Sequence, residues 1–476
     1  MKSIKISTKD KNILLSALLE QNNIKINKPC GGNGTCGKCK VHAIGEMSPV
    51  TDAEKALLTQ YELDNNIRLA CLTYVHGDIC VYYNTDLGDV QGITHGYMPD
   101  FKADLNEKDG YGMAVDIGTT TIAAYLYKFP ENTYVTNVCV PNPQAEFGAD
   151  VISRIEYSNN GGLEKLTDSI VNVLSKIADK KDITRSVITG NTTMLHLLTG
   201  LNPRTIAVSP FEPKSLFGEW HGKTYLPRCI SAYVGGDITT AILASDMLNT
   251  KTSFLVDIGT NGEMALWHNG ELVCCSTAAG PAFEGAGISM GTLAISGAIN
   301  KVYIDEDKIK YTTIDNEKPI GICGTGLIDA IACMVSSGIL EESGYLEESF
   351  KIGDSGISIS SSDVREVQLA KSAIRAGIDT LLDSCKISYD DIENFYIAGG
   401  FGSYIDKNSA AEIGLIPTEI LDKVKIMGNG AGSGAIMILL SNANLSESER
   451  IAKMAQTIEL SNSPIFMEKY IDAMMF

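Results

Sequence analysis

The chain has 476 residues, of which 44% are hydrophobic and 20% charged, as in a folded globular protein rather than a disordered one. Its formal net charge of −19 at pH 7 disfavours nucleic acid as a partner. No apolar run approaches the ~18 residues of a membrane span, and the opening MKSIKISTKDKN lacks the apolar core of a signal peptide. We therefore expect a soluble, cytoplasmic protein with no membrane partner.

Residues 1–85 read as a first domain that is organised around a glycine-rich cysteine loop. The loop PCGGNGTCGKC places Cys30, Cys36 and Cys39 in a C-x5-C-x2-C pattern, and Cys71 follows in the segment RLACL. Glycines let backbone N–H groups point at sulfur, and thiolates are the soft ligands that iron prefers. These four cysteines are the candidate ligands of one metal centre. The other eight cysteines lie mostly in apolar segments, which favours simple burial.

Zinc is the alternative metal for these cysteines, but zinc sites usually pair two short Cys-x2-Cys knuckles, and here Cys71 stands alone. The loop followed by RLAC resembles a [2Fe–2S] ferredoxin domain, with the wider first gap of adrenodoxin-like domains rather than the gap of plant ferredoxins. The resemblance implies a small α+β domain of the β-grasp type. It also implies a [2Fe–2S] cluster held by Cys30, Cys36, Cys39 and Cys71.

Residues 86–109 read as a linker, with spaced glycines, one proline and a closing polar run. Two interpretations stay open. The segment is either a tether that lets the small domain move, or a loop packed on the surface of the larger part.

The rest of the chain is organised by a hairpin pattern that occurs twice. Gly112–Tyr127 reads strand, DIGTTT, strand, and Ser253–Trp267 reads strand, DIGTNG, strand. Glycine lets the backbone approach a phosphate, N–H groups and hydroxyls donate to its oxygens, and Asp116 or Asp257 at the strand end can hold Mg²⁺. One such turn is more often an ordinary hairpin, but two copies predict a duplicated fold with both turns facing one cleft. The predicted phosphate contacts are Gly118, Thr119, Thr120, Thr121, Gly259, Thr260, Asn261 and Gly262.

A third glycine turn, YIAGGFG, follows another short apolar strand, and its Gly399, Gly400 and Gly402 are candidates to close over the sugar and base of a nucleotide. The three turns, in this order, resemble the phosphate-1, phosphate-2 and adenosine motifs of the acetate and sugar kinase/heat-shock chaperone/actin superfamily. The resemblance covers roughly residues 111–476. It implies an α/β ATPase module with two lobes, residues 110–250 and 251–476, around a cleft that binds ATP and Mg²⁺.

Two further acidic residues fall near these motifs. Asp237, in the segment VGGD, stands where sugar kinases of the superfamily carry a catalytic aspartate, although an aspartate before a helix is also a common N-cap. Glu284 lies in the glycine-rich loop AAGPAFEG, where contact with metal or substrate is only weakly indicated.

The combination of a ferredoxin domain with this ATPase module resembles the reductive activators of corrinoid proteins. The matching segments are CGGNGTCGKC with RLAC, VDIGTTT, GNTTMLH, VGGD, VDIGTNGE, AAGPAFEG, CGTGLIDA, YIAGGFG and GNGAGSGA. The resemblance implies an ATP-dependent enzyme that passes one electron from its cluster to the Co(II) corrinoid of a methyltransferase-system protein, which restores Co(I). The electron comes from a low-potential cellular donor. Asp116 and Asp257 would hold the metal and its waters, and Asp237 would orient the attacking water.

Three other functions share parts of this pattern. A small-molecule kinase would use the same cleft but would not need a ferredoxin domain. An activator of a radical dehydratase or reductase is also an ATP-driven electron donor, although such activators hold a [4Fe–4S] cluster between two subunits. A redox-sensing ATPase without a corrinoid partner is the third. The segment between the two modules is shorter than in relatives with an extra linker domain, and the oligomeric state, with a homodimer as one option, stays open.

Overall fold

The computed structural model describes residues 2–6, 12–22, 24, 26, 32, 34, 37, 39–58, 62–63, 66–83, 96–105, 107–306, 308–400, 404–461 and 463–476. Cys30, Cys36 and Gly402 therefore lie outside the described residues. The chain divides into two compact units: residues 1–88 with 143–170, and residues 89–142 with 171–476.

The first unit contains a five-stranded sheet in the order β1-β5-β3-β4, with β2 paired to β5 as well. Its described pairings are antiparallel. Residues Asn12–Gln21 have the sequence pattern of an amphipathic helix, but the helix begins only at Leu15, because Ile13 and Leu14 pair with Val75 and Tyr74 as a short strand. The elements are β1 Lys2–Ile6, β2 Ile13–Leu14, α1 Leu15–Gln21, β3 Lys40–Met47, α2 Asp52–Leu57, β4 Ile67–Leu69 and β5 Tyr74–Tyr83, followed beyond residue 143 by α3 Val151–Tyr157 and the start of α4 Leu163–Ala178.

A fully buried carboxylate, Glu54, organises the part of this unit around Cys71. The predicted capping box of α2 is present, since the Thr51 hydroxyl accepts from the Glu54 N–H at 3.2 Å and Glu54 accepts from the Thr51 N–H at 3.0 Å. Glu54 also accepts from Arg68 Nε at 2.9 Å and Arg68 Nη2 at 3.0 Å. Further donors are the Leu69 N–H at 3.2 Å and the Thr73 hydroxyl at 3.1 Å. One side chain thus fixes the backbone on both sides of Cys71.

Burial alone would raise the pKa of Glu54, but the hydrogen bonds from Arg68 and from the Thr51 and Leu69 N–H groups outweigh it and lower the pKa to about 2. The carboxylate is therefore ionised throughout the physiological range. Arg68 is itself only 6% exposed, so each ion depends on the other for compensation of its charge.

The second unit is built on two six-stranded sheets that share the arrangement of five strands. The sixth strand lies at opposite edges, beyond the later parallel strands in one sheet and beside the third hairpin strand in the other. In each, a hairpin is followed by a third antiparallel strand, and the first hairpin strand pairs in parallel with a strand that comes later in the chain. This repeat confirms the predicted duplication. One sheet contains β6 Gly110–Ile117, β7 Thr121–Phe129, β8 Thr133–Pro141, β9 Ile183–Gly190, β10 Glu219–His221 and β11 Thr224–Leu226; the other contains β12 Thr252–Ile258, β13 Gly262–His268, β14 Glu271–Thr277, β20 Asn394–Ala398, β21 Val424–Gly428 and β22 Gln456–Thr457.

Smaller strands and the helices complete this unit. They are α5 Thr192–Thr199, α6 Gly236–Ser245, β15 Ala298–Asp305, β16 Lys308–Thr313, β17 Gly321–Ile322, α7 Gly324–Ser336, β18 Phe350–Lys351, β19 Ser358–Ile359, α8 Ser361–Cys385, α9 Lys407–Glu412, α10 Gly430–Leu440, α11 Asn442–Met454 and α12 Pro464–Asp472. Within the ranges that the structure describes, no helix is long and apolar enough to cross a bilayer.

Helices α6 and α10 cross at very short range. A Cβ atom on Gly434 would lie 1.9 Å from the carbonyl oxygen of Thr240, so only glycine fits at this crossing. Glycines such as those of GNGAGSGA allow close approach either to nucleotide or to a packed helix, and at Gly434 the neighbour is a helix. Both helices begin at the edge where the hairpin turns lie, so their crossing fixes the positions of their first residues.

The described end of the predicted linker is packed, not extended. The Tyr97 N–H donates to the Met427 carbonyl at 2.6 Å, and Asp104 accepts from the Asn442 N–H at 2.7 Å at the start of α11. Leu105 is buried in the same core as α6 and α10. For residues 96–105 the structure therefore favours the packed loop over the tether.

We expect Glu54→Gln to lower the free energy of unfolding by about 3 kcal/mol, because it leaves the Arg68 charge buried without a partner. Urea unfolding of the full chain, followed by circular dichroism, measures this change. The matched control is Glu62→Gln, which removes the exposed pair with Lys40 (2.6 Å) and should cost less than about 0.5 kcal/mol. Equal losses in the two variants would contradict the role given to Glu54.

Candidate nucleotide cleft and cluster site

The second unit contains a cleft that the predicted motifs line together. Its empty volume is about 1540 Å³ including the open mouth. Both DIGT turns, the YIAGG turn and the first residues of α6 and α10 contribute to it. Lining residues that the sequence predicted are Asp116, Gly118, Thr119, Thr120, Thr121, Asp237, Asp257, Gly259, Thr260, Asn261, Gly399 and Gly400. Three turns distant in sequence therefore form one site.

Two asparagines hold the first turn in place. Asn142 donates through Nδ2 to the Gly118 carbonyl at 2.7 Å, and its N–H donates to the Thr120 carbonyl at 2.8 Å. Asn191, the N-cap of α5, donates through Nδ2 to the Thr119 hydroxyl at 3.3 Å. The turn is thus held rigidly, while the hydroxyls of Thr119, Thr120 and Thr121 line the cleft.

Buried carboxyl groups concentrate negative charge in the cleft. Burial, with repulsion from Asp237, raises the pKa of Asp116 to about 7. Burial and the charges of Asp237, Asp116 and Glu284 raise the pKa of Asp257 to about 8. The pKa values of Asp237 and Glu263 are also raised, in both cases chiefly by burial. Such a group of acids is stable when protonated, or when a cation neutralises it.

This donor set fits Mg²⁺ carried by a nucleotide. Among the described residues, no three acidic, histidine or cysteine side chains are close enough to hold one ion by themselves. Mg²⁺ usually keeps several waters and binds through one or two carboxylates together with substrate phosphates. The hydroxyls, N–H groups and carboxylates of the cleft are the groups that such a complex needs.

Gly262 does not lie where it was predicted, and the structure decides between the two interpretations of Asp237. A Cβ on Gly262 would meet Thr277 and Ile374, so this residue faces the core and does not line the cleft. The N-cap of α6 is Gly235, so the alternative reading of Asp237 as the N-cap is wrong; Asp237 lies in the first turn and lines the cleft.

Sequence reasoning did not assign Glu263 or Asn429. Glu263 pairs with Asp257 across the second hairpin, and the matching position of the first hairpin, opposite Asp116, is Ala123. Residues at equal distances from a hairpin turn pair across it, so the sequence could have placed Glu263 opposite Asp257. Asn429 caps α10 through a bond from the Gly432 N–H at 2.6 Å, and its side chain is hydrogen-bonded to Asp116. No local sequence signal links Asn429 to Asp116, because their contact is tertiary.

In the first unit, the described cysteines of the predicted metal site lie together. Cys39 Sγ and Cys71 Sγ are 3.2 Å apart, well beyond the ~2.05 Å of a disulfide, and both residues are buried. A Cβ on Gly32 would lie 3.9 Å from Cys71 Cβ, so the glycine loop approaches the RLAC segment. Two converging thiols beside this loop fit a compact cluster. Cys30 and Cys36 lie outside the described residues.

Family models match both parts of the chain. Residues 2–76 match the family model described as "2Fe-2S iron-sulfur cluster binding domain". Residues 111–250 match "RACo middle region", and residues 251–476 match "C-terminal domain of RACo the ASKHA domain". Fold and site thus define an actin-like ATPase module on the same chain as a [2Fe–2S] ferredoxin domain.

The full-length relatives share this arrangement. "Corrinoid activation enzyme RamQ" of Eubacterium limosum is 32% identical, over 97% of this chain and 96% of that protein. "[Co(II) methylated amine-specific corrinoid protein] reductase" of Methanosarcina barkeri is 27% identical, over 76% of each. The solved structure of a "Reductive activator for corrinoid,iron-sulfur protein" superposes with a TM-score of 0.70 at 29% identity, over 98% of this chain and 95% of that one. The chain belongs to the RACo family of reductive activators of corrinoid proteins.

The raised pKa values predict an unusual pH dependence. Between about pH 5 and pH 7 the folded, nucleotide-free cleft keeps protons on Asp116 and Asp257 that the unfolded chain has released. Each such group lowers the free energy of unfolding by up to about 1.4 kcal/mol per pH unit as the pH rises through this range. Asp257→Asn removes one of them, so its stability should fall less steeply with pH.

Urea unfolding of the natural protein and Asp257→Asn between pH 5 and pH 8, without nucleotide, measures this difference. The variant should be the more stable of the two at pH 8. Parallel stability curves would mean that Asp257 is ionised in the empty cleft. Asp305→Asn, which changes an exposed residue in the same lobe, is the matched control.

Proposed function

We propose that this chain is an ATP-dependent reductive activator, which transfers one electron to the Co(II) corrinoid of a partner protein and restores Co(I). The observation that carries the proposal is that a cluster domain and an ATPase cleft occur on one chain, as in relatives matched over nearly their whole length. The chain is therefore an enzyme with a [2Fe–2S] cluster and ATP as its cofactors. A kinase would need only the cleft.

The cleft residues have separate roles in this proposal. Thr119, Thr120 and Thr121 donate to phosphate oxygens from one lobe, and Thr260 and Asn261 donate from the other. Asp116 and Asp257 hold the waters of Mg²⁺, and Asp237, whose charge raises the pKa of both, orients the attacking water. Gly399 and Gly400 leave room for the sugar and base. Donors from both lobes on one ligand favour closure of the lobes.

The cluster residues have a simpler role. Cys39 and Cys71, with Cys30 and Cys36, hold the [2Fe–2S] cluster, which supplies a single electron at low potential when it is bound. Glu54 fixes the backbone on both sides of Cys71 and so keeps that thiol in place. A surface that recognises the corrinoid protein, a low-potential cellular electron donor and a homodimeric assembly complete the proposal.

The test is ATP-dependent formation of Co(I), followed by its absorption band under anaerobic conditions with a Co(II) corrinoid protein. The natural protein should produce Co(I) only with ATP and Mg²⁺. Asp257→Asn should lose about 10²-fold or more of this rate, because it removes a charge that holds the metal, while its cluster spectrum is unchanged. Cys71→Ser should lose the reduction but still bind ATP.

Two results would contradict the proposal. One is Co(I) formation by Asp257→Asn at the natural rate; the other is absence of Co(I) with several corrinoid partners although the cluster is intact and ATP is turned over. In the second case the appearance of a phosphorylated small molecule would favour the kinase. Asp305→Asn should behave as the natural protein does and serves as the control.

A further inference from the structure

Glu284 makes an unexpected contact across the cleft. Its Oε2 atom accepts from the hydroxyl of Thr120, in the first DIGT turn, and from the hydroxyl of Thr260, in the second, at 2.9 Å. Its Oε1 atom accepts from the Thr260 N–H at 3.1 Å. A single carboxylate therefore joins the two lobes at the turns that face the cleft.

The donors in this contact are those that phosphate oxygens would use. Two threonine hydroxyls and a backbone N–H converge on one anionic group, as they do in phosphate-binding turns. Oε1 also lies 3.4 Å from the position of a Cβ on Gly259, so the carboxylate occupies the space that this glycine leaves open beside the turn. Phosphate oxygens and the Glu284 carboxylate cannot share these donors, since both are negatively charged and each would need the same positions.

We propose that Glu284 is an internal phosphate mimic that occupies the polyphosphate position of the empty cleft, and that ATP binds by displacing it. The inference rests on the proposed function, because it takes ATP as the ligand of this cleft. Since the carboxylate is tethered to the site, it competes at a high effective concentration and weakens the apparent affinity for nucleotide. Only a ligand that brings phosphate groups to both turns can replace it.

The loop that carries Glu284 is anchored at both ends. It is anchored at one end by the Gly280 N–H, which donates to the Thr260 carbonyl at 2.9 Å. At the other end Ser289 donates to Asp363, in the first turn of α8, through its N–H and its hydroxyl, each at 2.6 Å. Between these anchors Gly285 has a φ of +77°. Ala282, Phe283 and Ile288 keep the inner side of this segment in the core. Displacement of Glu284 would therefore loosen only its outer side, where Gly287 is exposed.

Equilibrium binding of ATP with Mg²⁺ to the full chain tests the proposal through Glu284→Gln, which keeps the side-chain size but removes the charge. We expect this variant to bind ATP about tenfold more tightly, because a neutral amide competes less well for the donors. Its affinity for AMP, which lacks the β- and γ-phosphates, should be unchanged. Glu271→Gln, which removes an exposed charge from the same lobe, should leave both affinities unchanged.

Equal or weaker ATP binding by Glu284→Gln would overturn the proposal, since a metal ligand or a direct ATP contact gives that result. If natural ATP binding is intact in the same experiment, the proposed function stands and only the role of Glu284 fails. If neither protein binds ATP, both fail.

Hydrogen exchange of the natural protein gives a second test that does not depend on a variant. The proposal predicts that ATP with Mg²⁺ speeds amide exchange in the peptide spanning residues 281–289, because the carboxylate that holds this turn is released. Slower exchange in that peptide on adding ATP would overturn it.

Discussion

The cleft depends on the crossing of α6 and α10, which leaves no room for a methyl group between Gly434 and the Thr240 carbonyl. Each of these helices begins at the cleft: α6 brings Asp237 there in its first turn, and α10 begins after Asn429. Because the crossing fixes both starts, Asp237 and Asn429 are held beside Asp116. A larger residue at Gly434 would separate the helices and with them the groups of the site.

Asp237 at the start of α6 joins the buried acids of the two hairpins, and repulsion among these carboxyl groups raises their pKa values. Asp116 and Asp257 have pKa values of about 7 and 8 because they are buried beside other carboxyl groups. A divalent cation bound with its nucleotide would remove that repulsion. The resulting favourable free energy of binding could then drive closure of the two lobes. Glu284 joins the same two turns. In the proposed exchange, phosphate oxygens of ATP would take over these donors.

In the first unit, by contrast, the buried charges are paired. Glu54 and Arg68 are buried as a pair, and their hydrogen bonds hold the backbone around Cys71. Here the opposite charges compensate each other within the fold, whereas the acids of the cleft are neutralised by bound protons or by a cation from outside. The Glu54–Arg68 pair keeps Cys71 in place. The acids of the cleft, which have no such partner charge, favour binding of a cation.

Much of this organisation could be predicted from the sequence, because it is encoded locally. The two DIGT turns, the YIAGG turn and the cysteine loop are contiguous motifs, and the capping box of α2 needs only Thr51 and Glu54. What could not be predicted depends on tertiary packing. Glu284 is 24 residues from Thr260 and 164 from Thr120, and no spacing rule relates them. Similarly, Ile13 and Leu14 continue a helical pattern but pair with β5, because sheet pairing overrides local preference.

In the proposed mechanism, ATP in the cleft allows one electron to pass from the N-terminal cluster to the corrinoid. The most direct measurement is electron paramagnetic resonance of the pre-reduced protein, freed of excess reductant and mixed with one equivalent of a Co(II) corrinoid protein. With ATP and Mg²⁺, the Co(II) signal and the reduced-cluster signal should fall by equal numbers of spins, and without ATP both should persist. Loss of the Co(II) signal without ATP, or with an undiminished cluster signal, would contradict this mechanism.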